Sequence, residues 1–332
     1  MQAGSNGPSI KDAFERNGIA VNVFTFNDAI YHTLINRLSS KVLRVPHYTG
    51  TASLNSELIK CAESVKPDLI VLIKPVFVWP ETVVQLRQIC PVYSWYPDAV
   101  TYKKNTSDHF LRAIPLYTAH FCSNYHSVKD FIAAGAKEAY FIPITVDDKC
   151  HYRVDLTDAE RQQGSDLVFI GTYANESRYH VLNALVKEGL GLRVYGTGWN
   201  HMPKDSVLRA PGIVQGRTVF CKDMSAVIQA SKINLNFVRE HNREVLSCRT
   251  FEIPACGGFM LHQWTELVEQ YFTEGIEAEY FRSYEECVDK VRFYLAHESS
   301  RNSIARAGYE KVQSSPYFIH HAAEKILHMT TS

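Results

Sequence analysis

The sequence predicts an α/β protein built from two doubly wound, mostly parallel sheets. Three observations carry that expectation. Short Val/Ile-rich runs alternate with amphipathic stretches almost from one end to the other. The alternation breaks at a polar, charged stretch, TVDDKCHYRVDLTDAERQQGS (145–165), and then restarts in the same style. The 332 residues are enough for two domains of ordinary size.

In the first half the expected strands are VNVFTF (21–26), KVLRV (41–45), DLIVLI (68–73), PVYSWY (91–96), HFCS (120–123) and AYFIPI (139–144). Helices are expected between them, near 8–17, 53–65, 81–89 and 125–134. The opening MQAGSNGPSIKDAFERNG reads as a Gly-rich turn running into a helix. A strand should precede such a turn, so the edge or centre of the N-terminal sheet is expected to be affected. The first domain is set at 1–147, and 148–165 reads as a linker. The second domain, 166–315, opens with DLVFIG (166–171) and a helix near 177–188. LRVYG (192–196), a helix near 221–230, INLNF (233–237), FMLH (259–262) and EYF (279–281) follow. Helices near 284–296 and 299–313 close it, and a last helix, 317–329, follows Pro316 within a tail of 316–332. Ligands of such folds sit at the carboxyl ends of the strands.

Composition removes several function classes. Lys+Arg and Asp+Glu are equal at 35 each, so no nucleic-acid partner is expected. Hydrophobic content of 45% and charged content of 21% are those of a globular chain. The eight cysteines contain no Cys-x2-Cys pair, and no metal site is expected. No leader is recognised and the chain is large enough to fold without disulfides. Free thiols and a cytoplasmic location are therefore expected. No run approaches the length of a membrane span, while peripheral contact with a membrane surface stays open. No Ser/His/Asp order, His-Glu-x2-His or Walker loop supports a hydrolase, zinc-protease or NTPase reading.

The chemistry concentrates in HNREVLSCRTFEIPACGGFML (241–261). Glu244 and Glu252 stand there at Glu-x7-Glu spacing. Glu252 falls on a short helix closed by Gly257-Gly258, and Glu244 in the loop that enters it. A helix N-terminus gathers unpaired N–H groups and suits phosphate. Carboxylates beside it can accept hydrogen bonds from sugar hydroxyls. Together these are the elements of a nucleotide-sugar site. Pro254 requires the helix to be short or to start near Thr250.

The second half, about 117–315, resembles the CgeB-like glycosyltransferases, a bacterial group with the GT-B fold. The resemblance rests on FCSNYHSVKDFIAAGAKEAYFIPITVD (121–147), DLVFIGTYANESR (166–178), LRVYGTGW (192–199) and INLNF (233–237). It rests most on RTFEIPACGGFML (249–261) and on EYFRSYEECVDKVRFYLAHESSRNSIARAGYEKV (279–312). Before that stretch only SWYPDA (94–99) adds to it. The resemblance implies two Rossmann-like domains facing across a cleft, with a C-terminal helix returning toward the N-terminal domain. It implies a nucleotide-diphosphate sugar donor held by the second domain and an acceptor held by the first. No cofactor and no obligatory metal are implied. By the same resemblance Glu252 binds the nucleotide ribose and Glu244 the donor sugar, and transfer retains the anomeric configuration. A place in cell-surface glycan synthesis is implied, the acceptor being a glycan, glycolipid or protein.

Individual residues carry alternatives. Glu252 reads as a ribose ligand or as a solvated helix face, and Glu244 as a sugar ligand or an exposed loop carboxylate. Arg249, three residues before Glu252, could reach a diphosphate or simply pair with Glu252. Arg178 is a second phosphate candidate, with Ser247 and Cys248 at the helix entry; Arg217 and Arg243 are weaker ones. Gly171 and Thr172 end a strand where backbone can approach phosphate. Tyr195 and Gly196, ahead of Thr197, Gly198 and Trp199, could pack on base or ribose, or form a plain turn with a core Trp. Asn236 could orient the loop toward Glu244 or be purely structural. In the first half, Asp98 is the candidate general base of an inverting reaction, or a turn residue; His126 and His120 come next. Two other functions remain: a nucleotide-sugar epimerase on the same fold, and a catalytically silent scaffold.

Overall fold

A computed structural model describes residues 7–25, 51–143 and 145–331. The chain divides into two compact units. The first comprises 1–143, 241–244 and 326–332; the second comprises 144–240 and 245–325. The division falls four residues before the expected boundary at 147, counting back to 143, and residues 145–165 fold with the second unit instead of linking the two. His241–Glu244 go with the first unit although the elements on either side belong to the second.

In the first unit, helices α1 (Gly7–Arg16), α2 (Thr51–Val65), α3 (Pro80–Ile89), α4 (Asp108–Ala113) and α5 (Ser127–Ala133) accompany four strands. These are β1 (Ile70–Ile73), β2 (Val92–Tyr96), β3 (Ala119–Cys122) and β4 (Ala139–Phe141), parallel and in the order β1-β2-β3-β4. Every residue of β2 and β3 is buried, as a sheet covered on both faces requires. The short α4, which the sequence reading missed, is started by Ser107, whose hydroxyl accepts from the Phe110 N–H at 3.1 Å. The strand expected at 21–26 does not form over its described residues, 21–25. Polar Asn22 and Thr25 interrupt that run, and Val23 is left 44% exposed. The strand expected at 41–45 lies outside the described residues.

The second unit holds β5 (Leu167–Ile170), β6 (Leu192–Tyr195), β7 (Ile233–Asn236), β8 (Met260–Gln263) and β9 (Glu279–Phe281). All are parallel, in the order β6-β5-β7-β8-β9. Leu167 and Phe169 of β5 enter one apolar cluster and Val168 and Ile170 the other, the period-two signature of a sheet buried on both faces. Helices α6 (Asp158–Arg161), α7 (Ser177–Lys187), α8 (Cys221–Ala230), α9 (Arg249–Ala255), α10 (Tyr284–Ala296) and α11 (Glu298–Ser314) cover it. The last helix, α12 (Ile319–Thr331), starts in this unit, and from Ile326 onward it is grouped with the first. The strand order reverses between β5 and β7, so the chain leaves their carboxyl ends in opposite directions. Such a switch point is where open α/β sheets take ligands.

One expectation about cysteine fails. Cys150 and Cys221 form a disulfide across 71 residues of sequence. The pairing fastens the 145–157 segment to the start of α8, a proximity that the folded unit creates and no sequence spacing announces. The remaining cysteines are free thiols, as expected. Among the described residues, no helix is long and apolar enough to cross a membrane.

Candidate functional site

The loop leaving β7 leads into α9, and a chain of polar groups sets its path. The Ser247 hydroxyl donates to Asn236 Oδ1 at 2.9 Å. Asn236 Nδ2 donates to Thr250 Oγ1 at 3.3 Å, and the Ser247 N–H reaches the same oxygen at 3.2 Å. Thr250 Oγ1 lies 2.9 Å from Nε2 of His262, whose Nδ1 bonds the Gln263 carbonyl. A carbonyl only accepts, so Nδ1 carries the proton and Nε2 accepts from Thr250. His262 is fully buried, and desolvation, only partly opposed by the Gln263 bond, lowers its pKa to about 4. Asn236 thus orients the loop at Ser247, while Glu244 is held elsewhere.

α9 is entered through a tight turn. The N–H groups of Thr250 and Phe251 return to the carbonyls of Ser247 and Cys248, and that of Glu252 also to Cys248. These donors, expected to be free for phosphate, are satisfied by the turn itself. The helix is short enough to tolerate Pro254. It ends on Gly257 at φ 78, with the Gly258 N–H on the Ile253 carbonyl at 3.1 Å. A Cβ on Gly258 would stand 2.4 Å from Ile228, so the second glycine permits packing against α8.

Glu252 is 7% exposed on this helix, and so is no solvated face. Arg249 Nη1 bonds its Oε2, and His151 Nε2 stands 3.6 Å from its Oε1. Burial pushes the carboxyl pKa up. The charges of Arg249 and His151, with hydrogen bonds from Arg249 and Cys248, outweigh burial and leave the pKa lowered. Burial, the largest single influence, opposes the Arg249 guanidinium as well, but the Glu252 charge and hydrogen bond, with Cys248 and Cys256, together outweigh it and its pKa is raised. Both partners are therefore ionised at neutral pH. Arg249 Nε and His151 Nδ1 are buried without a hydrogen-bond partner. Buried polar atoms left unpaired are costly, and a ligand's oxygen would satisfy the Arg249 Nε donor.

Opposite, at the end of β5, Thr172 is exposed and its Oγ1 lies 3.4 Å from that of Thr197. Arg178 is buried. It donates to the Thr172 carbonyl at 3.0 Å and lies 3.6 Å from Glu176, so it braces this turn. Gly196 has φ 133, and a Cβ there would lie 2.2 Å from the Gly171 carbonyl oxygen. Gly171 and Gly196 therefore let two strand ends turn side by side. Tyr195 is 1% exposed in the core, with Arg217 over its ring at 5.3 Å. Arg217 also pairs with Asp223. Trp199 is a core residue donating to the Gly171 carbonyl at 2.9 Å. A shallow cavity of about 460 Å³, lined by Arg161, Asp166, Arg193 and Lys232, lies at the amino ends of β5, β6 and β7. It is at the wrong end of the sheet for this chemistry.

In the first unit, Asp98 follows β2. Its Oδ2 is 2.5 Å from Lys74 Nζ, at the end of β1. Asn242, missed in the sequence, is the hub here. Its Nδ2 donates to Glu244 Oε1 at 2.8 Å and to Asp98 Oδ1 at 3.4 Å. Its Oδ1 accepts from the Ala99 N–H at 2.8 Å and from Asn105 at 3.0 Å, and its carbonyl accepts from Asn124 at 2.6 Å. Glu244 and Asp98 thus share one organiser, and Glu244 and Glu252 belong to different units. Arg243 pairs with Asp130 at 2.9 Å. His120 is no candidate base. It is fully buried between Ser94 and the Ile114 carbonyl, stacks on Phe131, and desolvation lowers its pKa to about 4. His126 immediately precedes α5.

Residues 178–328 match a family model described as glycosyl transferase-like. No curated protein matches the chain in sequence. Among solved structures, the sucrose-phosphate synthase of Thermosynechococcus elongatus is similar at TM-score 0.62 and 13% identity, over 84% of this chain and 77% of that one. HepE of Anabaena, in complex with UDP and glucose, is similar at TM-score 0.61 and 14% identity, over 100% and 98%. A UDP-N-acetylglucosamine 2-epimerase of Listeria monocytogenes, itself a provisional assignment, gives 0.51 and 12%, over 85% and 80%. Residues 178–328 are thus similar to a glycosyl transferase-like domain, and the two-sheet architecture that carries them is the GT-B fold.

Proposed function

We propose that this chain is a CgeB-like glycosyltransferase that moves a sugar from a nucleotide-diphosphate sugar to a hydroxyl acceptor, with retention at the anomeric carbon. The observation that carries the reading is buried, ionised Glu252 paired with partly buried Arg249 beside the β5/β7 switch point. A buried carboxylate is a strong acceptor for a vicinal diol, which suits ribose. Arg249 supplies fixed positive charge where a diphosphate would leave, so no metal is required of the mechanism. Thr172 and Thr197 offer hydroxyls on the other side of the switch point. The HepE complex supports a uridine diphosphate donor.

The first unit, which includes Glu244, is assigned to the acceptor, a glycan, glycolipid or protein. In a retaining reaction the departing phosphate oxygen takes the acceptor proton, and Asp98 orients the acceptor. Asp98 becomes the base only if the product is inverted. The setting is cytoplasmic, within cell-surface glycan synthesis. The test is to follow the anomeric proton by NMR with nucleotide sugars and candidate acceptors. Transfer with an unchanged anomeric configuration is expected; an inverted product overturns the retaining assignment. Likeness to an epimerase favours a second reading. That reading predicts isomerisation of the donor with no acceptor present.

A further inference from the structure

We propose that His151 is a positioning residue for Glu252: its Nε2 holds Oε1 while Arg249 holds Oε2, so that the carboxylate is fixed in one orientation before a nucleoside diphosphate arrives. The sequence reading placed this histidine in a linker. The structure delivers it to the carboxylate, 3.6 Å away. The inference rests on the donor reading of Glu252.

Two features argue that the ring is where it is because of Glu252. First, Nδ1 is buried and makes no hydrogen bond, so no network on the far side of the ring holds it. A polar atom stranded in that way costs stability, and the contact made by the other nitrogen is what the arrangement gains. Second, the segment carrying His151 is anchored on both sides to α8. Cys150, the preceding residue, is disulfide-bonded to Cys221, and its carbonyl accepts from the Ser225 hydroxyl at 3.2 Å. Beyond His151, the Val154 N–H donates to Gln229 Oε1 at 2.6 Å, and Gln229 Nε2 returns to the Val154 carbonyl at 3.1 Å. The His151 N–H itself is held on the Asp147 carbonyl at 2.8 Å. A ring fixed in this way loses little freedom when the site is used.

The arrangement gives Glu252 one cationic or donor group per oxygen. A carboxylate held on one side only can rotate about its last bond; one held on both sides presents the same lone pairs to every ligand. The other titratable groups near it are Cys248 and Cys256, at the two ends of its own helix.

Two readouts test the proposal on the full chain, with His151→Ala, His151→Gln and Glu252→Gln. The first needs no ligand. Carbon-detected NMR of the Glu252 carboxyl should show its pKa rise in His151→Ala and return toward the parent value in His151→Gln, which keeps a donor where Nε2 stood. An unmoved Glu252 pKa in His151→Ala overturns the proposal. The second is UDP affinity by calorimetry in a double-mutant cycle. His151→Ala should weaken UDP by up to about fivefold, the upper range for one ion-pair contact. It should cost nothing further in the Glu252→Gln background, and His151→Gln should restore most of the loss. Equal losses in both backgrounds would show that His151 does not act through Glu252. If the parent chain binds no nucleoside diphosphate, the donor reading fails, while the carboxyl titration still decides His151.

Discussion

The two units run the same kind of parallel sheet to different ends. In the second, strand order reverses between β5 and β7, and beside the reversal a buried carboxylate, 9% exposed, pairs with a guanidinium that is 24% exposed. In the first, the described strands run β1-β2-β3-β4 without reversal, and the carboxylate at their carboxyl ends, Asp98, stays 21% exposed beside a lysine that is 38% exposed. Charge in a low-dielectric pocket is strong and costly to disturb; charge at a wet edge is weak and tolerant. The comparison assigns tight, oriented recognition to the second unit and looser, adaptable contact to the first. That division suits a fixed donor and an acceptor that varies.

The largest expected effect tests this contrast directly. Arg249→Ala leaves the Glu252 carboxylate buried without its main partner and should cost about 3–5 kcal/mol in urea unfolding. Next comes Gly196→Ala. Its φ of 133 and a Cβ 2.2 Å from a carbonyl oxygen should cost about 2–3 kcal/mol and splay the ends of β5 and β6. Loss of UDP affinity beyond the loss of stability would tie that turn to the donor.

An intermediate effect is shared by both units. His120 and His262 are each buried and neutral, with pKa lowered from 6.5 to about 4. Between those values the unfolded chain binds the extra proton and the folded chain does not. The stability each histidine contributes is therefore complete above 6.5, is lost progressively as pH falls from 6.5 to 4, and falls no further below that. At pH 5 the loss should be about 2 kcal/mol per histidine. His120→Gln and His262→Gln should each remove about one proton from the pH slope of unfolding. A slope unchanged by both would contradict their neutral burial. The smallest effect belongs to Lys74→Ala, expected below about 1 kcal/mol because the pair with Asp98 is screened by solvent. A cost as large as that of Arg249→Ala would erase the contrast between the units.

Much of this was legible in the residues. Alternating apolar runs marked the strands of both sheets, because burial on both faces leaves an uninterrupted apolar signature. The run at 21–26 misled for the same reason: it is apolar enough to look like a strand, yet Val23 stays exposed. The Glu252–Arg249 pair was readable from its spacing of three, since both ends lie on one helix. Cys150, His151 and Asn242 were not. Their partners lie far off in sequence, and a polar stretch looks the same whether it is solvated or folded against a helix. Tyr195 and Trp199 show the converse. The loop motif left ligand contact and a plain turn with a core Trp open, and packing against the β5 end claimed both side chains.

The most direct test of the central claim is a thermal-shift panel of nucleoside diphosphates and nucleotide sugars, with and without magnesium, on the parent chain and on Glu252→Gln. A ligand bound only by the folded state raises the melting temperature by mass action. The account predicts a base-selective rise with the parent chain, independent of magnesium, that disappears in Glu252→Gln. No rise with any nucleotide, or an equal rise in Glu252→Gln, would contradict it.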